Sequence, residues 1–388
     1  MVTYPTDWKE SSIGDLFNVF AGGDVKKQYF SKFRTSAYPY EIFSNGIENR
    51  GHYGYTSLAV FPGNSVTVTA RGTIGQAFYR EAPYDAIIRL LVLSPKSENI
   101  KPKFYEYYIN NQIVFERENT GVPQLTAPKI KEKTVPFFDG KEQEKIIETL
   151  QVFDTYIDDL AELIEKKKGI RDGALEDLIS GKTRIVGFSG ERKEYSINDI
   201  TCEVITGGTP STSRREYYGG NIPWLASTEI HQKRITKPTT YITELGLQNS
   251  SAKIAPEKSV LIALAGQGKT RGTAAYLTKP MALNQSLAAL VTNEKCNSEF
   301  LYYLVESMYS SLRELSSGDG SRGGLNKKLI KGVLVTIPID VDEQEAIANI
   351  LFAMDEEIRD LETEHEKIIQ IREGAMDDLL TGRVRLTK

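Results

Sequence analysis

The apolar positions of residues 139–185 follow the period of one long amphipathic helix. The steps between them alternate between four and three residues, which is the spacing of a coiled-coil seam. Glu142 stands three residues after Asp139, the spacing of a capping box at a helix start, and Gly181 stands where such a helix is expected to stop. At a rise of about 1.5 Å per residue, about forty helical residues would extend roughly 60 Å. The seam positions are Ile146, Leu150, Phe153, Ile157, Leu160 and Ile164.

The same pattern returns at residues 340–386, displaced by 201 positions with no insertion or deletion. Asp340, Glu343 and Gly382 repeat the signals for the start and the stop of the helix. A gapless duplication of this length indicates a chain built from two copies of one plan. The second seam consists of Ile347, Leu351, Met354, Ile358, Leu361, His365 and Ile368.

Shorter apolar and alternating runs fill the rest of the chain, with glycine and proline between them. Residues 58–61 and 65–69 have the pattern of strands, and residues 104–112 have the pattern of a helix. Residues 186–339 repeat this layout only at landmarks, so one fold is used twice with different surfaces, and both copies are predicted to be α+β domains. The matched landmarks are Gly22 and Gly23 with Gly207 and Gly208, residues 65–69 with 259–263, and residues 104–112 with 300–308.

The predicted organisation has four parts: a first domain at 1–138, a spacer helix at 139–185, a second domain at 186–339, and a second helix with a C-terminal strand at 340–388. If the helices pack along their seams, the chain order makes them antiparallel and relates the two domains by a pseudo-twofold axis. The strand is predicted from the alternation of Arg and Val after residue 382, and its backbone groups need a partner. We expect that partner beside residues 8–16, where docking of the C-terminal end would close a ring.

The net charge of −4 is unevenly distributed along the chain. Residues 1–138 carry +3 and residues 182–339 carry +7, whereas the helical residues 139–181 carry −6 and residues 340–388 carry −8. A phosphate backbone would attract the basic globular segments and repel the acidic helices. Solvation alone would also account for acidic helices.

The composition is that of a chain with two domains that have proper cores. No apolar run is long enough to span a membrane, and the first residues lack the pattern of a signal peptide. The two cysteines, Cys202 and Cys296, fit a reducing compartment better than a disulfide framework. We therefore expect a cytoplasmic protein.

Two patterns of nucleotide and cofactor enzymes are present only in broken form. Residues 263–270 resemble the phosphate-binding loop G-x-x-x-x-G-K-[ST], but Ala263 replaces the first glycine and no long helix pattern follows. Residues 221–224 resemble the N-P-P-[FYW] tetrapeptide of amino-methyltransferases, but Ile222 breaks it and Trp224 is predicted to lie in the core.

Metal and acid–base patterns are equally weak. The three histidines have no Cys or His companions at ligand spacing, and the acidic run at 142–145 is better explained by helix capping because it occurs in both copies. The sequence therefore predicts no catalytic residue, no cofactor and no metal site. The histidines are His52, His231 and His365.

Two glycine-rich loops with basic residues occupy equivalent places, at residues 70–76 and 263–271. Such loops fit a close approach to a DNA phosphate or base edge, with an ordinary turn carrying solvated charges as the alternative. The residues predicted to contact DNA are Arg71, Thr73 and Gln76 in the first loop, and Gln267, Lys269, Thr270 and Arg271 in the second.

Several of these motifs together resemble the specificity subunit of type I restriction–modification systems. They are the repeated DxxEQExI…DLLxG helix, the Gly-Gly-Thr-Pro run at 207–210, the Ile-Pro-Trp stretch at 222–224, and the Leu-Asn-Lys-Lys…Ile-Pro approach to the second helix. The likeness covers nearly the whole chain, and the helix duplication is its most specific part.

The resemblance implies a non-enzymatic, sequence-specific DNA-binding subunit. Each domain would read one half of a bipartite duplex site, and the helices would set the spacing and dock modification subunits, two in number. Restriction subunits would join through the complex, and methyl transfer and cleavage would belong to these partners.

Two other classes of protein stay open as alternatives. A stand-alone methyltransferase or nuclease would need a cofactor loop or a carboxylate–metal cluster, and the sequence has neither. A coiled-coil scaffold that binds only proteins would leave the basic charge of both globular segments unexplained.

Overall fold

The computed structural model describes residues 4–115, 124–266, 269–316 and 324–386. The chain forms two compact units, residues 1–162 with 363–388 and residues 163–362. Each unit thus combines one globular segment with part of each long helix. Among the described residues, no helix is long and apolar enough to cross a bilayer.

The first unit contains two four-stranded sheets, with strand orders β2-β9-β6-β7 and β3-β5-β4-β8, and a small β1-β10 pair. Its strands are β1 (Lys9–Ser12), β2 (Phe17–Ala21), β3 (Phe30–Ser31), β4 (Tyr40–Phe43), β5 (His52–Thr56), β6 (Ser65–Val68), β7 (Ala77–Arg80), β8 (Tyr84–Ala86), β9 (Leu91–Pro95) and β10 (Thr134–Phe137). The helices that begin in it are α1 (Ile13–Leu16), α2 (Pro102–Gln112), α3 (Ala127–Lys131) and α4 (Gly140–Ser180).

The second unit repeats this plan, with sheets of order β12-β20-β17-β18-β14 and β15-β13-β19-β16 and a β11-β21 pair. Its strands are β11 (Arg192–Ser196), β12 (Thr201–Thr206), β13 (Tyr218–Leu225), β14 (Arg234–Ile235), β15 (Thr240–Ile242), β16 (Lys253–Ala255), β17 (Val260–Ala263), β18 (Ala274–Leu277), β19 (Met281–Leu283), β20 (Leu287–Thr292) and β21 (Leu334–Pro338). Its helices are α5 (Glu244–Gln248), α6 (Ser298–Ser307), α7 (Tyr309–Leu315) and α8 (Lys327–Lys331), and α9 (Val341–Leu380) begins in it.

The mixed helices and sheets agree with the predicted combination of α and β elements. The predicted helix at 104–112 lies within α2, and the predicted strand at 65–69 corresponds to β6. The predicted strand at 58–61 is wrong, because only Phe61 pairs there, in an isolated bridge with Tyr84. Pro62 and Gly63 follow directly and end any extension of that pairing.

Both units have aromatic cores beneath the helix that follows the central sheet. In the first, Phe104, Tyr105 and Tyr108 of α2 are buried together with Leu150 of α4 and Leu379 of α9. In the second, α6 contributes a comparable set that packs with both long helices. Trp224 is buried, and its indole N–H donates to the Gly208 carbonyl at 3.0 Å, as a core residue would.

The long helices start and stop where predicted, but the side-chain contacts at their starts differ from the prediction. Gly181 and Gly382 have φ values of +79° and +72°, the left-handed conformation that ends a helix. The predicted N-cap is present at Asp340, whose side chain accepts from the Asp342 N–H at 3.0 Å. The glutamate half of the predicted capping boxes is wrong, because Glu142 and Glu343 are only 3% and 1% exposed and pair with Arg385 and Arg184, which follow the end of the other long helix. A buried carboxylate requires such a partner.

Gln143, beside Glu142, fixes the start of α4 to the segments before it. Its amide oxygen accepts from the Lys101 N–H at 3.0 Å, and its amide nitrogen donates to the Phe138 carbonyl at 2.9 Å. Gln344 makes the same two contacts at the start of α9, with Asn297 at 2.8 Å and Pro338 at 2.8 Å. The repeated Glu-Gln-Glu run thus has a structural role at both helix starts.

The predicted C-terminal strand is wrong over the described residues, since 383–386 contain no strand. Arg385 instead contacts the first segment through its side chain, donating to both oxygens of Asp7 at 2.9 and 2.8 Å and to Glu142 at 2.7 and 2.8 Å. The guanidinium thus supplies the contacts that backbone pairing was expected to supply.

Within each unit, the two helical segments run in opposite directions. In the first unit Arg372 donates to Asp154 at 2.8 Å, and Tyr156 of α4 bonds Glu364 of α9. In the second, Arg171 donates to Asp355 at 2.8 Å, which is the same pair displaced by the repeat. The predicted seam positions Leu150, Leu160 and Ile164 of α4 and Ile347, Leu351 and Ile358 of α9 are buried.

Candidate nucleic-acid interface

The first predicted loop joins β6 to β7 and is closed by Thr69. The Thr69 N–H donates to the Gln76 carbonyl at 2.9 Å, and the N–H of Gly75, which has a φ of +89°, donates to the Thr69 carbonyl at 2.9 Å. This closure leaves Arg71 and Thr73 exposed at the tip. Gln76 is less free, because its amide donates to Asn110 of α2 at 3.0 Å.

A tight turn at residues 87–90, between β8 and β9, lies next to this loop. Asn45 connects the two, since its amide nitrogen donates to the Ile88 carbonyl at 2.5 Å and its amide oxygen accepts from the Ala70 N–H at 2.7 Å. Ile88 and Arg89 are both exposed. The loop and the turn therefore form one continuous exposed surface that includes Arg71 and Arg89.

The second predicted loop joins β17 to β18 and closes in the same way. The Ala263 N–H donates to the Thr273 carbonyl at 3.0 Å, and Gly272, at φ +82°, donates to the Ala263 carbonyl at 2.9 Å. Lys269 is exposed, and its carbonyl accepts from the Tyr309 hydroxyl at 2.9 Å. Gln267, also predicted to contact DNA, lies outside the described residues.

The other two predicted residues of this loop have internal partners. The Thr270 hydroxyl lies 3.1 Å from Nε2 of His231. Arg271 is half-buried and donates to the Ser316 hydroxyl at 3.2 Å. Through the shared loop closure, Arg271 takes the place of Ile74 in the first unit.

The second unit also has a turn beside its loop, at residues 284–287 between β19 and β20. The Leu264 N–H donates to the Ser286 carbonyl at 2.8 Å, which brings the start of the loop to the turn. Gln285 is exposed and accepts from the Thr209 hydroxyl at 2.6 Å. The two units thus present the same pair of features with different side chains.

Matched polar groups connect α2 and α6 to the long helices. The Tyr107 hydroxyl of α2 donates to Asp154 at 2.6 Å, and the Tyr303 hydroxyl of α6 donates to Asp355 at 2.8 Å. Burial raises the pKa of both tyrosines, and the adjacent carboxylates raise it further. Both phenols therefore stay protonated donors at neutral pH and hold α2 and α6 against the long helices.

The sequence reading missed three features of these surfaces. The turn at 87–90 gave no signal, because its Ile-Arg pair is not a turn sequence. His231 gave none either, since only the fold brings it to Thr270. A visible signal was overlooked at residues 26–34, where lysine and arginine alternate with aromatic residues and Phe33 is 77% exposed.

Over the described ranges, no cluster of three or more His, Cys, Asp or Glu side chains is arranged to hold a metal ion. The surfaces built by the two loops and turns instead offer exposed guanidinium, ammonium, hydroxyl and amide groups. These are groups that hydrogen-bond to phosphate oxygens and base edges.

Comparison with known proteins gives matches over both repeats. The family model of the type I restriction modification DNA specificity domain matches residues 5–168 and 190–372. The type I restriction enzyme HindI specificity subunit of Haemophilus influenzae is 21% identical over 98% of this chain and 100% of its own length.

Solved structures show the same fold. The type I restriction–modification S subunit from M. genitalium superposes with a TM-score of 0.64 at 19% identity, covering 98% of this chain and 97% of that one. A chain from a study of complex assembly and conformational transition of the type I R-M system gives a TM-score of 0.60 at 15% identity, with coverage of 98% and 100%. The family model covers most of the sequence in two matching blocks, and the chain therefore belongs to the type I restriction–modification DNA specificity family.

Proposed function

We propose that this chain is the DNA-recognition subunit of a type I restriction–modification complex and that each globular segment reads one half of a bipartite duplex site. The observation that carries the proposal is the repetition of one surface, a glycine-closed loop beside a tight turn, with different side chains in the two units. Recognition of two different half-sites requires two DNA-binding segments that share a fold and differ in their surface side chains.

The charge distribution supports the same function. The globular segments are basic and the helices acidic, so a duplex would be attracted to the loops and turns and repelled from the helices. Arg71, Thr73, Gln76, Lys269, Thr270 and Arg271, with Gln267 beside them, remain our candidates for DNA contact.

We further propose that α4 and α9 form an antiparallel coiled coil that sets the distance between half-sites and docks two modification subunits. The support is the buried seam within each unit and the pair of Asp–Arg contacts related by the repeat. This arrangement would place domain boundaries near residues 138, 185 and 339. It would also relate the two copies by a pseudo-twofold axis.

Catalysis is assigned to the partners in this proposal. Methyl transfer would belong to the modification subunits and cleavage to restriction subunits that join through the complex, in the cytoplasm. The chain itself would bind neither a cofactor nor a metal ion.

The test begins with the methylation motif of the source cell, read by methylation-sensitive sequencing. Duplexes that carry this motif, each half of it alone, or neither half are then titrated with the chain in complex with its modification subunits at several salt concentrations. Salt-dependent binding that requires both halves is the expected result.

Other outcomes would identify the alternative classes. Saturable binding of S-adenosylmethionine by the pure chain, with methyl transfer, would indicate a stand-alone enzyme. Assembly with the modification subunits without any DNA binding would indicate a protein scaffold.

A further inference from the structure

The turn at residues 87–90 has an improbable sequence for its shape. Ile88 and Arg89 have φ values of +55° and +62°, and the Leu90 N–H donates to the Ile87 carbonyl at 3.1 Å. Two consecutive left-handed residues inside such a bond are typical of a type I′ turn, which strongly favours Asn and Gly. A β-branched residue at positive φ is a strained exception.

The surrounding chain forces this conformation. The Ile88 and Arg89 N–H groups donate to the Gly23 and Gly22 carbonyls at 2.8 and 3.1 Å, and the Gly22 N–H donates to the Leu90 carbonyl at 2.8 Å. A Cβ on Gly22 would lie 2.7 Å from the Ala86 backbone, so only glycine allows this approach. Backbone strain that is held this firmly tends to occur at functional sites.

The strained conformation does not bring the exposed side chains of this turn into contact with partners within the protein. Arg50 has a similar φ of +53°, but its guanidinium donates to the Tyr79 carbonyl at 2.9 Å and pairs with Glu106. Arg89 makes no side-chain hydrogen bond or ion pair with the described residues, and Ile88 is 41% exposed. The fold keeps Arg89 in a strained and rigid position and leaves its guanidinium for an external ligand.

We propose that Arg89 is a specificity-determining residue of the first segment and that its guanidinium reads a base edge of the half-site through the major groove. The inference rests on the proposed function. A planar guanidinium on a rigid turn matches the O6 and N7 acceptors of guanine, and an apolar neighbour such as Ile88 matches a thymine methyl group. Arg71, on the adjoining loop, is placed to neutralise the phosphates beside that base.

The second segment has a turn at the same place in the fold, but its two central residues are not at positive φ. Its turn at 284–287 presents Gln285 and Ser286 where the first presents Ile88 and Arg89. Glutamine pairs with adenine in the way that arginine pairs with guanine. The hydrogen bonds that close the two turns match Arg89 with Ser286 and Ile88 with Gln285. Both central positions of the turn therefore differ between the two segments, as expected if the turn reads a different base in each half-site.

The experiment compares wild type, Arg89→Ala and Arg89→Lys, each assembled with modification subunits, on duplex libraries randomised one position at a time across both half-sites. Arg89→Ala should lose about 10- to 100-fold of discrimination at one base pair of the first half-site and leave the second unchanged. Arg89→Lys should not restore it, because an ammonium lacks the bidentate fork.

A double variant separates recognition from folding. Ile88→Asn with Arg89→Gly supplies the preferred type I′ sequence, so the melting temperature should rise while the same discrimination is lost. Lys258→Gly is the matched control: it relieves a φ of +65° in the second unit and should raise the melting temperature without affecting recognition. Lys9→Ala removes an exposed charge from the first unit and should leave both half-site profiles intact.

Two outcomes would overturn the inference alone. The first is a wild-type complex that reads both half-sites together with an Arg89→Ala complex that has the same base preferences. This result would show that the turn does not read DNA. A uniform loss of affinity at every sequence with a shallower salt slope would make Arg89 a phosphate contact and not a reader. A wild-type complex without any sequence preference would instead count against the proposed function, and against this inference with it.

Discussion

Glu142 and Glu343 show how the role of a side chain depends on contacts far away in the sequence. Their spacing from Asp139 and Asp340 predicted capping boxes, and the helix starts were indeed where expected. The carboxylates themselves pair with Arg385 and Arg184, which are 243 and 159 residues away. No local pattern contains that information, because only the packing of one helix end against the other brings the charges together.

Replacing Arg385 with alanine should destabilise the first unit by about 3 kcal/mol, because the buried Glu142 carboxylate would lose the guanidinium that neutralises it. Arg184→Ala should have a comparable effect on the second unit through Glu343. The urea midpoint of each unit, followed by hydrogen exchange, measures the change. Arg383→Ala is the control: among the described residues Arg383 pairs with Asp377 and Asp378 at the surface, so its loss should leave the midpoint nearly unchanged.

The same contact predicts a pH dependence at Asp7. Its hydrogen bonds with Arg385 hold the pKa of the Asp7 carboxyl below its usual range. A depressed folded-state pKa means that the contribution is present above the unfolded pKa and is lost as the pH falls through the folded one. The stability difference between wild type and Asp7→Asn should therefore shrink in acid; a difference that grows there would contradict the pairing.

Lys269→Ala tests the second loop. Lys269 is exposed at the loop tip and its side chain has no partner among the described residues, so a phosphate is the simplest ligand for it. We expect weaker binding at all sequences and a salt slope lower by about one unit. Arg271→Ala, which removes a half-buried group bonded to Ser316, should lower stability as well. Unchanged affinity in both variants would remove this loop from the interface.

At the scale of elements, periodicity predicted most of what was found. The long helices, α2 and β6 follow directly from spacing of apolar residues, since a helix or strand with one buried face must repeat with its own period. The predicted strand after residue 382 was wrong because the Arg385 side chain, which bonds Asp7 and Glu142, makes the contact with the first segment, and no sequence period reveals such a long-range pairing. The loops could be located from glycine and charge, but the turn beside the first loop could not.

Helix length should set the gap between half-sites. Seven residues inserted at matched positions in α4 and α9 preserve the seam and lengthen each helix by roughly 10 Å, which is about three base pairs at about 3.4 Å each. The expected motif keeps both half-sites and gains a wider spacer, measured by methylation-sensitive sequencing. Insertion of five residues, which breaks the seam, serves as the control. An unchanged spacer in the seven-residue variant would mean that the helices do not set the distance between half-sites.

At the scale of the whole chain, contacts near the two termini make circular permutation a direct test of the ring. Arg385 bonds Asp7, and a Cβ on Gly382 would lie 2.6 Å from Pro5, so both ends lie at one place in the first unit. A chain joined from Lys388 to Met1 by a short linker and opened near residues 187–190 should fold and recognise the same DNA site. Truncation after residue 382 should instead lower stability, because it removes Arg385. If the permuted chain fails to fold or to recognise the site while the truncated chain behaves normally, the C-terminal end does not close a ring on the first segment.

The paired junctions have an evolutionary consequence. The same Arg–Glu contact occurs in both copies of the repeat, as Arg184 with Glu343 and as Arg385 with Glu142, and the equivalent residues are 201 positions apart. The Asp–Arg pairs further along the helices are related in the same way. Homologous recombination between two such genes at the helix-coding repeats would exchange a whole recognition segment and still leave every arginine opposite a carboxylate. New combinations of half-sites could then arise in single genetic steps, without any redesign of the joints that hold the protein together.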